Sequence, residues 1–197
     1  MNAAHKPGKP TKAELAAHDE AVATAGSKTA PQAIGPGFGG IIGQDQGLMA
    51  LQSALLRNRL PHALLFSGPS GIGKATIAGV LTQALNCMKS GPGDACGTCS
   101  SCHKVKRGLH PDVLWVAPDK GRIRLQQISP RKPNKREAAS PHTPIVNWVG
   151  YRPYEGHRRV VVIDDAHKMN TSAQNALLKT LEEPPRSSTL VLITPAP

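Results

Sequence analysis

The sequence predicts an α/β fold, a parallel β-sheet flanked by helices, with a small cysteine-rich module inserted into it. Three observations carry this. Four short runs, "HALLFSG", "DVLWVAP", "RRVVVIDD" and "STLVLITP", are solidly apolar and too brief for helices, the pattern of strands buried on both faces. Segments of helical periodicity separate them, as the crossovers of a parallel sheet require. All four cysteines fall together between the first run and the second.

The bulk composition bounds what such a fold does. A chain of 197 residues with 39% hydrophobic and 3% aromatic residues is long enough to bury a core. No stretch approaches the ~18 apolar residues of a membrane span, and the first thirty residues hold no secretory h-region. A reducing cytoplasm is therefore the expected compartment, where clustered cysteines point to metal or redox chemistry before disulfides. A net charge of +11 suits a polyanionic partner such as nucleic acid, and equally a solvated basic surface. The scarcity of aromatic rings argues against recognition of single strands by stacking.

Taken in order, residues 1–37 read as a disordered arm, rich in Lys, Pro, Ala and Thr with little to bury. A short helix around residues 13–25 would have nothing to pack against. Order begins at Phe38. Leu48, Leu51, Leu55 and Leu56 mark the inner face of a helix that Pro61 stops. "HALLFSG" follows as a buried strand, and "KATIAGVLTQALNCM" as a helix with Ile77, Val80, Leu81 and Leu85 turned inward. Beyond the cysteines and the second strand, "IRLQQI" approaches a helix that resumes as "IVNWVGYRPYEG". Between them lies a flexible basic insertion, residues 129–144, punctuated by four prolines. "NTSAQNALLKTLEE" is a helix capped by Asn170 or Thr171 and ended by Pro184 and Pro185.

The turn after the first strand is "GPSGIGKAT", comprising Gly68, Pro69, Ser70, Gly71, Ile72, Gly73, Lys74, Ala75 and Thr76. It matches the phosphate-cradling pattern G-x-x-x-x-G-K-[ST] up to Lys74 and lies in the strand–turn–helix context that pattern needs. Backbone N–H groups would converge on phosphate at the helix's positive end, and Lys74 would neutralise the outer phosphates. ATP is thus a candidate ligand. The hydroxyl that normally takes magnesium is replaced by Ala75, and Thr76 lies about 100° further round the helix. At the end of the third strand, Asp164 suits a magnesium-bound water. Asp165, one methylene shorter than the usual glutamate, is poorly matched to polarising an attacking water. Both departures point to weak or absent turnover.

Cys87, Cys96, Cys99 and Cys102 are spaced x8, x2 and x2, with Gly91, Gly93 and Gly97 available for the turns. Four thiolates so placed close a tetrahedral structural zinc site with no open position, and the segment is too small to hold a core without metal. His103 or His110 could replace one thiolate.

Together these residues resemble the zinc-containing AAA+ subunits of the bacterial DNA polymerase III clamp loader. The specific pieces are the cysteine cluster after the loop helix, "HPD" at His110 to Asp112, "RPYEG" at Arg152 to Gly156, and "NALLKTLEEPP" at Asn175 to Pro185. The resemblance implies an AAA+ P-loop nucleotide-binding domain over residues 38–197, with a zinc module at residues 87–102. The motor type, gamma/tau, has Thr after the loop lysine and Glu after the strand-end acid. Ala75 and Asp165 instead resemble the delta prime type, the largely non-hydrolysing stator. The implied role is in DNA replication, loading the sliding clamp on primed DNA beside gamma/tau and delta, with no membrane partner. Thr194 falls where the family places its sensor 1 residue, and it also reads simply as a polar strand end. The family continues past "TPAP" into an arginine-finger segment, a fifth strand beside the loop strand, a lid and a collar, so the chain reads as C-terminally truncated. Without the fifth strand, "HALLFSG" becomes an exposed apolar edge. Two alternatives stay open: an active ATPase of the gamma/tau type, and a zinc-bearing nucleic-acid-binding module with a vestigial loop.

Overall fold

Four strands form one all-parallel sheet: β1 (Ala63–Ser67), β2 (Val113–Val116), β3 (Arg159–Ile163) and β4 (Ser188–Thr194), in the spatial order β1-β4-β3-β2. The computed structural model describes residues 37–89, 91, 93–130, 144–185 and 187–196. The expected arm at 1–36, its helix at 13–25 and most of the basic insertion (131–143) lie outside the described residues.

Strand alternation divides the interior into two cores. In β3 every residue is buried; Val161 and Ile163 face one side, Val160 and Val162 the other. The first side packs on α4 (Leu125–Ile128), α5 (Ile145–Val149) and α6 (Thr171–Glu182), through Ile128, Trp148 and Leu177. The second packs on α1 (Asp45–Leu56) and α2 (Lys74–Asn86), through Leu48, Val80 and Leu81. Each such fully buried side chain contributes about 1.5–3 kcal/mol relative to exposure. The result is the three-layer α/β arrangement the sequence predicts. The cysteine segment carries a further short helix, α3 (Ser100–Lys106).

The structure corrects several element readings. Leu56 is 63% exposed, because α1 turns its last residue past the core. Helix α2 stops at Asn86, before Cys87, where the backbone turns extended to enter the cysteine module. "IRLQQI" and "IVNWVG" form two separate short helices that share one core, not one interrupted helix. Asn170, not Thr171, caps α6, its side chain accepting the Ala173 N–H at 2.9 Å. Strand β1 is not buried on both faces: among the described residues it pairs only with β4, and Leu65 is 56% exposed.

A buried carboxylate joins two of the sequence motifs. Asp112, fully buried just before β2, accepts backbone N–H groups from Tyr154 (2.6 Å), Glu155 (2.8 Å) and Gly156 (2.7 Å). "HPD" and "RPYEG" are therefore two halves of one device, an acid and the loop it holds. Arg159 at the head of β3 lies 3.8 Å from the same carboxylate, stacks 4.5 Å from the Trp148 ring, and donates to the Arg152 and Trp148 carbonyls. The amide oxygen of Asn86 accepts from His157 and Arg158 N–H at 2.9 and 3.0 Å. Any Cβ on Gly156 would lie 2.3 Å from that oxygen, so the loop's glycine is imposed by close approach.

Replacing Asp112 with Ala strands three buried N–H donors and uncouples Arg159. The expected loss is about 3–5 kcal/mol, read as a shifted urea midpoint. His110 yields a second expectation. Its Nδ1 accepts the Asp112 N–H and its Nε2 faces Ser101 Oγ at 3.1 Å, which sets a neutral ring with the proton on Nε2. Burial lowers its pKa below the usual value despite the nearby Asp112 and Glu155. A base whose folded pKa is depressed lets the unfolded chain bind more protons as pH drops below about 6.5, so stability falls there. In an NMR titration the His110 ring is expected to protonate below the ordinary histidine value.

Candidate functional site

Helix α2 begins where the glycine-rich turn ends, and the turn's backbone makes that junction. Gly68, Gly71 and Gly73 have φ of 144°, 86° and 92°, and Gly73 is the N-cap residue of α2. The Lys74 ammonium spans the turn, donating to the Gly68 and Pro69 carbonyls at 2.6 and 2.7 Å. Pro69, Ser70 and Ile72 are exposed at its rim. Ala75 is half-buried and packs toward the α1/α2 core, and Thr76 is half-buried beside it.

The strand register brings the remaining residues to the same end of the sheet. Ser67 is opposite Thr194, and Ile163 is opposite Leu192, so the turn, Thr194 and Asp164 all emerge from the carboxyl ends of adjacent strands. That end of an open parallel sheet is where ligands bind. Thr194 is buried and donates its hydroxyl to the Ala196 carbonyl at 2.6 Å. Asp164 accepts the Asp165 N–H on Oδ1 at 3.0 Å. Asp165 itself adopts a left-handed conformation (φ 52°, ψ 46°), and its Oδ2 takes the Lys168 ammonium at 2.7 Å. The acid at this position is thus drawn toward a lysine three residues on.

The four cysteines converge at the far end of α2. Their sulfurs all lie within 4.8 Å of one another, with Cys87 and Cys99 at 4.0 Å. Sulfurs bound at ~2.3 Å to one tetrahedral zinc would be about 3.8 Å apart, so the donor set fits a closed four-sulfur site. Backbone N–H groups already point at the sulfurs: Cys96 to Cys87, Cys99 to Cys96, and Cys102 to Cys99, at 3.3–3.5 Å. Burial pushes the Cys102 thiol well up, while the Thr98 N–H and hydroxyl lower that of Cys96. A dication would supply the charge that lets such crowded sulfurs ionise together. Neither histidine takes part: His103 is exposed and His110 is committed to Asp112 and Ser101. The module is fastened to the core by Ser101 Oγ, which donates to the Asn86 carbonyl at 2.6 Å, and by Gln83, which donates to the Cys102 carbonyl at 3.2 Å.

The family model described as "DNA polymerase III, delta subunit" matches residues 43–197. The chain belongs to the DNA polymerase III clamp-loader family. It is 34% identical over 160 residues to DNA polymerase III subunit tau of Escherichia coli, an alignment covering 81% of this chain and 23% of that protein. With subunit delta' of Pseudomonas aeruginosa the figures are 35% over 138 residues, 69% of this chain and 38% of the relative. With subunit delta' of Bacillus subtilis they are 31% over 154 residues, 78% and 42%. The chain thus spans about a fifth to two-fifths of the length of these relatives. Among solved structures, a gamma-subunit-related protein of Thermotoga maritima superposes with a TM-score of 0.46 at 20% identity, over 75% of this chain and 39% of that one.

Within this clamp-loader chain one feature escaped the sequence reading. Lys120, Arg122 and Arg124 line a cavity of about 400 Å³ with Leu125, Gln126 and Asn170, between the end of β2 and the start of α6. In sequence these cations are only "DKGRIR", and the pairing of Ile123 with the Lys168–Asn170 turn is what gathers them around Asn170. Among the described residues no helix is long and apolar enough to cross a membrane.

The cysteine geometry carries a direct expectation. Cobalt(II) titrated into the metal-stripped protein should bind one ion per chain and develop thiolate charge-transfer absorption. Cys102→Ser, which removes the most buried ligand, should lose that spectrum and loosen α3, seen as lost helical circular dichroism.

Proposed function

We propose that the protein is a delta prime-like subunit of the DNA polymerase III clamp loader, a stator that holds its place in the assembly without turning over ATP. The observation that carries this reading is the paired defect at the nucleotide site. Ala75 offers no oxygen to magnesium, and Asp165 is short, left-handed and ion-paired to Lys168. A nucleotide can be held by the N–H groups of the 68–74 turn and by Lys74, whose ammonium would exchange its two carbonyl partners for phosphate oxygens. Asp164 is the residue that would help hold magnesium, whose charge would stabilise the outer phosphates. Among the described residues near the turn, Asp165 is the candidate to activate an attacking water, and its ion pair with Lys168 holds it elsewhere. Thr194, in the sensor 1 position, spends its hydroxyl on Ala196.

In this reading the metal is zinc, held by Cys87, Cys96, Cys99 and Cys102, and its role is to hold an inserted module rigid. The partners are gamma/tau and delta, the sliding clamp, and primed DNA in the cytoplasm. The cations at Lys120, Arg122 and Arg124 supply phosphate contacts. The four-sulfur site and the basic cavity also suit a nucleic-acid-binding module with a vestigial turn, in which Lys74→Ala would leave nucleotide binding unchanged.

The test is steady-state ATPase with and without primed DNA, alongside nucleotide binding. Turnover is expected at background and unchanged in Lys74→Ala, while that variant weakens nucleotide binding. Robust turnover abolished by Lys74→Ala would overturn the stator reading. With the parent at background, a rise in Ala75→Thr would identify the missing hydroxyl as the limitation, and no rise would show that it was not.

A further inference from the structure

We infer that the loop between α5 and β3 is a binding site for single-stranded nucleic acid, with Tyr151 and Tyr154 stacking on bases and Arg152, His157 and Arg158 meeting the backbone. The site lies at the amino end of β3, opposite the nucleotide turn, and does not depend on the reading of that turn.

Composition alone argues against such a site, since the chain has only two tyrosines. The fold places both in this one loop and leaves both exposed, Tyr151 at 41% and Tyr154 at 65%. Two rings presented to water among cations are the working parts of a stacking platform, where each ring accepts any base and the cations follow the phosphates. Arg152 and His157 are exposed and Arg158 half-buried. Glu155, the acid among them, is taken by Lys104.

The loop is also fixed in advance. Five of its backbone N–H groups are spent on two buried side chains, three on Asp112 and two on Asn86. Tyr151 is further held by the Arg159 guanidinium, 5.8 Å from its ring. A platform ordered before binding loses little entropy when a strand arrives. The polar, cationic setting of the rings favours an anionic strand over an apolar protein surface, and the chain's charge of +11 has the matching sign.

The experiment measures anisotropy of fluorescein-labelled oligothymidylate with the full chain, across a salt series. Tyr154→Ala should weaken binding by about 5- to 150-fold, and Tyr154→Phe should retain it, since stacking and not the hydroxyl is used. Arg152→Gln should lower the slope of log affinity against log salt by about 0.7. An oligonucleotide carrying 5-iodouracil should photocross-link to the Tyr151–Arg158 segment. The proposal fails if the parent protein does not bind the strand. It fails equally if both tyrosine-to-alanine variants bind like the parent while Lys120→Glu or Arg122→Glu abolishes binding, or if the cross-links map elsewhere. Tyrosine variants that lose a clamp-loader subunit and not the strand would mark the loop as a protein interface and overturn it as well. ATPase plays no part in these readouts, so failure here and failure of the stator reading are distinguishable.

Discussion

The carboxylate of Asp112 is the constraint on which the lower half of the molecule depends. It is fully buried and sits at the entrance to β2, where an ionised acid is tolerated only if its lone pairs are filled. Three backbone N–H groups from the segment that leads into β3 fill them, and the guanidinium of Arg159 at the head of β3 balances the charge from 3.8 Å. The acid therefore sets where β3 begins and, through the register of the sheet, where Asp164 and Asp165 end.

The same node ties the cysteine module to the domain. His110, two residues before Asp112, reaches Ser101 on α3, and Ser101 reaches the last carbonyl of α2. Asn86, at that helix end, has Cys87 as its neighbour in sequence and the loop before β3 as its hydrogen-bond partner. A cluster of four sulfurs, a helix end and a surface loop are thus parts of one polar network. Its strength comes from burial, which makes each satisfied hydrogen bond costly to lose.

At the opposite end the nucleotide turn keeps its shape on its own resources. Positive φ at the glycines and the Lys74 bridge to two carbonyls define the turn. The residues around it are engaged elsewhere. Ala75 has become part of the packing under α2, and Asp165 part of a surface ion pair. Such an exposed pair is worth little in stability, of order 0–1 kcal/mol, yet it suffices to bias where a short side chain points.

The strands, helices α2 and α6, the glycine-rich turn and the clustering of the four cysteines were all legible in the sequence, because each is a local signal. Apolar run length marks a buried strand, glycines with a lysine mark a phosphate turn, and close cysteine spacing marks a metal site. "HPD" and "RPYEG" could be read as motifs but not as partners, since the contact between Asp112 and Gly156 spans more than forty residues of chain. Only the tertiary structure decided that Leu56 and Leu65 face outward, that Asn170 caps α6, that Lys168 takes Asp165, and that the cations of "DKGRIR" line a cavity with Asn170. It also decided that two tyrosines in a chain poor in aromatics stand exposed on one loop. Local pattern records what a residue can do, whereas its neighbours across the sheet determine which of those capacities face solvent and which are already spent.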